Sequence, residues 1–247
     1  GFPGNLKVSV RYILTPDNTL RMDYRVSTDE DTIINLTNHT YFNLDGGGNV
    51  LGQKLRIYAS NYLEGNNETC PTGKILPVDG TPMDFRTGKP LGRDLDTGFY
   101  QTTMAGGGFD HCYVLDRPRG ASHEPLRLGA SDKTGISMKM YTTQPGIQLY
   151  TGNFLQNCPS PRQGRVPLEK YGGFALETQH FPCSPSHPEF PTTVLRAGKV
   201  FRANTTLRFF TGLSAAVCKQ ISAAAKGSSR KELPFAVFWV SSPCLAD

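Results

Sequence analysis

Residues 6–27 read "LKVSVRYILTPDNTLRMDYRVS", and their alternation of apolar and polar side chains predicts a β-hairpin. The turn-forming sequence "TPDNT" separates two runs in which every second residue is apolar. Because successive side chains of a strand point to opposite faces, each run would bury one face and expose the other. The side chains predicted to be buried are Val8, Val10, Tyr12, Leu14, Leu20, Met22, Tyr24 and Val26.

The remainder of the chain repeats this pattern on a shorter scale. Gly, Pro, Asn and Asp clusters separate the short runs, and 26 glycines and 18 prolines favour many turns over long helices. No helical period of useful length occurs before residue 212. The sequence therefore predicts an all-β fold, a large antiparallel β-sandwich with little helix. Its further strands are expected at 54–60, 111–116, 136–143 and 147–155.

Composition and charge limit the classes of partner. The net charge is only +5, and no block of like charge or basic stripe with interleaved aromatic residues suggests nucleic-acid binding. The longest uncharged apolar stretch, residues 233–246, is short of the ~20 apolar residues that a membrane span needs. The six cysteines are scattered without a CxxC pair, which favours free buried thiols and a cytoplasmic protein. A small-molecule partner is expected, and no oligomeric state is predicted.

The last part of the chain differs from the rest. Residues 213–229, "LSAAVCKQISAAAKGSS", are rich in Ala and Ser with weak helical character. We therefore predict a β-sandwich domain over residues 1–211 and a divergent tail over 212–247 that is weakly helical or loosely ordered.

The stretch "NLTNHTYFNL", residues 35–44, combines hydrogen-bonding groups with aromatic rings. In a strand, its odd-numbered side chains would form one polar, aromatic-flanked row that contains His39. Such a row suits a polyhydroxylated ligand, because hydroxyl groups need matched donors and acceptors while rings cover the C–H faces. The alternative is a histidine at the sheet surface whose hydrogen bonds are satisfied within the protein and which has no catalytic role.

Two carboxylates are further candidates. Glu177 lies in "GGFALETQHF", where apolar neighbours would desolvate it, raise its pKa and make it a better base at neutral pH. Alternatively, it is an edge carboxylate paired with Lys170 or Arg208. Asp110 follows three glycines in "GGGFDHCYVLD", and these glycines would let the backbone approach a ligand or simply form a turn.

Other chemistries have weaker signals. The stretch "HFPCSPSH", residues 180–187, supplies at most three of the four ligands that a structural zinc site needs, so no metal is predicted. The chain has no GxSxG sequence for a nucleophilic serine and no phosphate-binding GxxxxGKS/T sequence.

Taken together, these stretches resemble the aldose 1-epimerase (galactose mutarotase) family. The resemblance extends from about residue 4 to residue 210 in the order of the family. It is carried by "INLTNHTYFNL", "PTGKILPVDGTPMDF", "GGGFDHCYVL", "YTTQPGIQLYTGNFL" and "GFALETQHFPCSPSHPEFPTTVLRAG".

The resemblance implies an enzyme that interconverts the α and β anomers of free hexoses, galactose or glucose, without a cofactor or a metal. It implies that His39 is the general acid that protonates the ring oxygen, and that Glu177 is the base that removes the proton from the C1 hydroxyl. Asp110 and Gln148 match substrate-binding residues, and Gln144 matches a further amide with a weaker case.

Two departures from the family are evident. The family's N-terminal portion, with a further sugar-binding histidine, has no counterpart here, so the domain is expected to be N-terminally incomplete. The tail after residue 211 matches nothing in the family. The competing interpretations are an epimerase of hexose phosphates, a glycoside hydrolase that uses Asp110 and Glu177, and a catalytically weak sugar-binding β-sandwich.

Overall fold

The structure is a computed structural model that describes residues 1–116, 126–130, 132–157 and 168–211. The predicted tail, residues 212–247, lies outside the described residues, as do Cys158, Cys218 and Cys244. The predicted all-β fold is confirmed: the described residues form short strands joined by turns, with one five-residue α-helix. Among them, no helix has the length and apolar character to cross a membrane.

The secondary-structure elements follow one another with short connections. The strands are β1 (Leu6–Thr15), β2 (Thr19–Thr28), β3 (Thr32–Ile33), β4 (Tyr41–Phe42), β5 (Lys54–Leu55), β6 (Asn61–Gly65), β7 (Pro71–Pro77), β8 (Lys89–Pro90), β9 (Asp110–Val114), β10 (Leu126–Ala130), β11 (Ile136–Thr142), β12 (Gly146–Tyr150), β13 (Phe174–Gln179), β14 (Val194–Leu195) and β15 (Val200–Thr211). Helix α1 spans Tyr100–Met104, and 3₁₀ turns span Leu95–Thr97, Leu155–Asn157 and Ser184–Ser186.

Two large antiparallel sheets form the two layers of the sandwich. One has seven strands in the order β1-β2-β15-β11-β10-β5-β8, and the other has six in the order β4-β13-β12-β9-β6-β7. The inner faces of both sheets meet in one apolar core, as expected for aligned sheets that alternate buried and outward side chains. The core includes Met22, Tyr24, Leu55, Met138, Met140, Ala203 and Leu207 from the first sheet, and Phe42, Tyr62, Tyr113, Ile147, Leu149, Phe174 and Leu176 from the second.

The predicted hairpin of β1 and β2 forms around the predicted turn, with a register that runs from Leu6 opposite Thr28 to Thr15 opposite Thr19. The prediction for β2 is confirmed, because Met22, Tyr24 and Val26 are buried. The prediction that β1 buries one face is wrong: Val8, Val10, Tyr12 and Leu14 are all exposed. The physical reason is position, since β1 is the edge strand of its sheet and lies beyond the area that the second sheet covers.

Three other predicted strands are shorter than expected. Residues 54–60 contribute only β5 to the sheet before the chain turns towards β6, and the run at 147–155 leaves its sheet after Tyr150. Residues 35–44 run extended but pair in the six-stranded sheet only through β4. The runs at 111–116 and 136–143 correspond to β9 and β11, which confirms them.

Candidate active site

Three adjacent strands place the candidate side chains on the outer face of the six-stranded sheet. In the antiparallel register Glu177 of β13 lies opposite Gln148 of β12, and Asp110 of β9 lies opposite Tyr150 of β12. The neighbouring residues Leu176 and Leu149 point the other way, into the core. Alternation along each strand therefore leaves the polar side chains on the face away from the core.

His39 and Glu177 meet at this face. The imidazole Nε2 of His39 lies 3.4 Å from Oε1 of Glu177, and the side chains are 38% and 13% exposed. The alternative partners that the sequence left open for Glu177 are engaged elsewhere. Lys170 Nζ lies 4.9 Å from the ring centre of Tyr171, and Arg208 lies 3.6 Å from Asp17.

Two tyrosine rings surround this pair. The ring centre of Tyr41 lies 4.9 Å from that of His39, and the ring of Tyr150 lies 6.1 Å from both. Tyr41 precedes the buried Phe42 in β4, which pairs with β13 and so holds the ring beside Glu177's strand. These rings provide the apolar surface that the C–H faces of a sugar ring require.

The low polarity of the site shifts the pKa values of both groups towards their neutral forms. Burial, with a smaller contribution from the negative charge of Asp110, raises the pKa of Glu177 to about 8. Burial lowers the pKa of His39 below its ordinary value of 6.5. Between these two values the pair carries one proton in total, and the group with the higher pKa, Glu177, holds it.

Asp110 and Gln148 form the second half of the site. Gln148 Nε2 donates a hydrogen bond of 2.7 Å to Asp110 Oδ1. Burial raises the pKa of Asp110, while the hydrogen bond from Gln148 opposes this effect. The amide thereby orients the carboxylate.

Three polar atoms in this region are buried without a hydrogen-bond partner among the described residues: Thr37 Oγ1, His39 Nδ1 and Gln148 Oε1. Buried polar atoms of native proteins nearly always have a partner, because an unsatisfied one costs about 1–3 kcal/mol. A ligand rich in hydroxyl groups would supply the missing partners after displacing the side chains that cover these atoms.

A buried network of hydrogen bonds among Gly65, Gln101 and His111 holds the backbone of Asp110. Gln101 Nε2 donates to the carbonyl of Gly65, and its Oε1 accepts from the Gly65 N–H at 2.8 Å. The same Oε1 lies 3.0 Å from His111 Nε2, which must therefore be the protonated nitrogen. His111 Nδ1 then accepts from the Asp110 N–H at 3.2 Å. Burial lowers the pKa of His111 to about 4, so the ring stays neutral at ordinary pH.

The glycines before Asp110 are needed for packing within the protein. Gly106 and Gly107 have φ of 79° and 84°, which turn the chain into β9. A Cβ on Gly108 would lie 1.9 Å from Asn153 Oδ1. The turn interpretation of this triplet is therefore the correct one.

Next to Asp110 and Gln148, a small open depression faces solvent. Thr69 and Pro71, beside β7, and Pro182, after β13, line it together with Glu64 of β6. The depression continues the polar face away from His39 and Glu177.

The other residues that the sequence suggested lie outside the His39–Glu177 and Asp110–Gln148 contacts. Gln144, the weaker substrate candidate, places Oε1 2.7 Å from His180 Nδ1. His187 Nδ1 lies 3.3 Å from Glu189 Oε1. Among the residues that the structure describes, no three His, Cys, Asp or Glu side chains lie close enough to hold a metal ion.

Sequence reasoning missed Tyr150, His111 and Gln101. Tyr150 carries a usable signal, because it lies two residues after Gln148 and so shares its face of the strand. His111 and Gln101 meet only through tertiary structure, and no spacing in the sequence indicates their contact.

The fold is a two-layer antiparallel sandwich. Its polar, tyrosine-lined face brings together an imidazole and three polar side chains, an arrangement typical of a carbohydrate-active protein. The sequence model of the aldose 1-epimerases matches residues 1–208. The chain belongs to the aldose 1-epimerase family.

Individual relatives agree with this assignment. The chain is 40% identical over 193 residues to an aldose 1-epimerase of Haemophilus influenzae, 36% identical over 212 residues to an aldose 1-epimerase of Escherichia coli, and 39% identical over 212 residues to a galactose mutarotase of Mus musculus. These alignments cover 77%, 85% and 85% of this chain, but only 54%, 60% and 59% of the relatives. The chain thus spans little more than half the length of the curated relatives that it matches.

Solved structures show the same architecture. An aldose epimerase homologue from C. elegans aligns with a TM-score of 0.77 at 28% identity, over 86% of this chain and 62% of that one. A galactose 1-epimerase from Lactobacillus acidophilus aligns with a TM-score of 0.70 at 26% identity, over 86% and 59%.

Proposed function

We propose that this protein is an aldose 1-epimerase that interconverts the α and β anomers of free hexoses such as galactose and glucose. One observation carries the proposal: His39 Nε2 and Glu177 Oε1 lie 3.4 Å apart on a tyrosine-lined face. Family membership supports it, since relatives that share 36–40% of its residues are named aldose 1-epimerase or galactose mutarotase.

The distance between the two groups suits the chemistry of a cyclic hemiacetal. Its ring opens when the C1 hydroxyl loses a proton while the ring oxygen gains one. Both oxygens are bonded to C1, so the acid and the base that serve them must lie within a few ångströms of each other. Such positioned proton transfers contribute typically ~10²–10⁴-fold to a rate.

In the proposed reaction the single proton of the pair first passes from Glu177 to His39 across their 3.4 Å contact. Glu177 as carboxylate takes the proton of the C1 hydroxyl while His39 as imidazolium donates to the ring oxygen, and the bond from C1 to the ring oxygen breaks. Rotation about C1–C2 presents the other face of the aldehyde. Ring closure reverses both transfers and restores the proton to His39, so neither metal nor nucleotide is needed.

Asp110 and Gln148 are the proposed substrate-binding residues. Their mutual hydrogen bond fixes the carboxylate, and the unpartnered Gln148 Oε1 accepts from a sugar hydroxyl. Asp110, close enough to Glu177 to raise its pKa, would hold a hydroxyl near the reacting carbon.

A free hexose is the proposed partner, with no nucleic acid and no membrane. We also propose a cytoplasmic location, which the scattered cysteines favour. Cell fractionation with an antibody against the chain checks it, and recovery in a secreted or organelle fraction would contradict it.

Polarimetry tests the activity. The optical rotation of freshly dissolved α-glucose or α-galactose is followed with and without protein, for the wild type and for His39→Ala and Glu177→Ala. We expect acceleration by the wild type and its loss in both variants. The matched control is the second His–Glu contact, His187 with Glu189, whose replacement by His187→Ala or Glu189→Ala should leave the rate unchanged.

Other outcomes favour other functions. Hexose binding by calorimetry without acceleration by the wild type would make the chain a sugar-binding module. Acceleration that survives in Glu177→Ala would refute the proposed base. Cleavage of a glycoside that survives in His39→Ala would indicate a hydrolase that uses the two carboxylates.

A further inference from the structure

Two exposed cysteines lie at the edge of the depression beside the candidate site. Cys70 ends the turn between β6 and β7, and Cys183 directly precedes the 3₁₀ turn after β13. The expectation that the cysteines are buried is wrong for these two, although Cys112 is buried. Far apart in the sequence, Cys70 and Cys183 are brought to the same rim by the fold.

The two loops that carry these cysteines are packed together. Pro71 follows Cys70 and Pro182 precedes Cys183, and both prolines line the same depression. Further along the loops, a Cβ on Gly73 would lie 2.8 Å from the ring of His187.

The neighbours of both cysteines line one depression, so the two side chains belong to the same part of the surface. Burial, and after it the contact with the Cys70 side chain, raises the pKa of Cys183. Both residues as a whole are exposed at the surface.

Local hydrogen bonds hold each cysteine backbone in place. The Cys70 N–H donates to Asn66 Oδ1 at 3.0 Å, and its carbonyl accepts from the Asn66 N–H at 2.9 Å. The Cys183 carbonyl accepts from the Ser186 N–H at 2.9 Å. Two held backbones on adjacent loops reduce the rearrangement that a cross-link would need, since disulfide geometry is narrow.

We propose that Cys70 and Cys183 are a redox pair that closes to an intramolecular disulfide across the rim of the cleft. The oxidant is a low-molecular-weight disulfide such as glutathione disulfide. The thiolate of one cysteine attacks it, forms a mixed disulfide and releases one thiol. The other cysteine, as thiolate, then attacks the protein sulfur of that mixed disulfide and releases the second thiol. Two protein thiols become one S–S bond, and the oxidant becomes two thiols.

The cross-link ties the turn before β7 to the loop that follows Glu177's strand. It therefore restrains two walls of the depression and limits the freedom of the unfolded chain. In a reducing cytoplasm the pair is open, and an oxidising shift in the glutathione pool closes it. The proposal does not depend on the proposed catalytic activity.

The test uses the full chain with Cys158→Ser, Cys218→Ser and Cys244→Ser, so that only three cysteines remain. This protein is incubated with glutathione disulfide and analysed by mass spectrometry before and after proteolysis without reductant. We expect the intact mass to fall by two hydrogen atoms, with one cross-linked peptide that joins Cys70 to Cys183. The melting temperature should rise on oxidation and return with dithiothreitol.

Single variants in the same background provide the control. With Cys70→Ser or Cys183→Ser, the partner thiol should gain one glutathione, and the melting temperature should not rise. Glutathione adducts on both cysteines without a cross-link, disulfide-linked dimers, or unreacted thiols would each overturn the proposal. Absence of sugar epimerisation in polarimetry would leave it standing, so the two proposals fail separately.

Discussion

Replacing Glu177 with glutamine should stabilise the protein while removing its activity. Burial raises the pKa of the Glu177 carboxyl from its ordinary value of 4.5 to about 8. Below pH 4.5 the carboxyl is protonated in both the folded and the unfolded chain, so its burial does not lower the free energy of unfolding. As the pH rises towards 8, the unfolded chain releases this proton while the folded chain retains it, so the folded state loses stability. A glutamine side chain cannot ionise, so the Glu177→Gln variant avoids this loss.

The magnitude follows from the interval between the two pKa values. Each pH unit corresponds to about 1.4 kcal/mol, so the interval from 4.5 to about 8 has an upper limit of roughly 5 kcal/mol. The contact with His39 and its partial exposure to water both reduce the cost of the charge. We therefore expect a gain on the order of 2 kcal/mol at pH 8, or about 4–8 °C in melting temperature for a domain of this size.

The assay is urea denaturation of the wild type and Glu177→Gln from pH 4 to pH 9. The difference in the free energy of unfolding should be near zero at pH 4 and should increase up to about pH 8. Polarimetry on the same samples should show a loss of at least ~10²-fold in rate. Glu189→Gln, which makes the same change at an exposed carboxylate, is the matched control. A stability difference that stays flat across the pH range would refute the reasoning.

Three further changes test other parts of the site and fold. Asp110→Asn removes a negative charge that raises the pKa of Glu177, so the acidic limb of the pH–rate profile should move to lower pH and KM should rise. Gln101→Leu leaves two buried partners unsatisfied and should lower the urea-derived free energy of unfolding by about 2–4 kcal/mol. Gly108→Ala should lower the melting temperature sharply because its Cβ would clash with a buried amide, whereas Gly47→Ala, in open space, should change it by no more than about 2 °C, or about 0.5 kcal/mol.

Much of the site was predictable from strand periodicity. The spacing of two in "FALETQ" correctly separates Glu177 from the core residue Leu176, and "GIQLY" separates Gln148 from Leu149 in the same way. The burial that raises the pKa of Glu177 was likewise predicted from its apolar neighbours. These predictions succeed because the pleat of a strand is a local property of the backbone.

Contacts between distant segments were not predictable in this way. The 3.4 Å contact of His39 with Glu177 was not predicted, since the family resemblance gave only their roles and periodicity places each group on a face but not beside the other. The support of Asp110 by His111 and Gln101 gave no sequence signal at all. The alternative partners of Glu177 also stayed open until the position of each strand was known.

The β1–β2 hairpin shows which properties the sequence determines and which depend on the tertiary structure. Alternation in residues 6–27 determined by itself that two strands form, pair and turn at "TPDNT", because these properties depend on neighbours in sequence. Only the tertiary structure decided that Met22 is buried while Tyr12, directly opposite it in the register, is exposed. Burial depends on whether another layer covers the strand, and in the described part of the chain the covering sheet ends before β1.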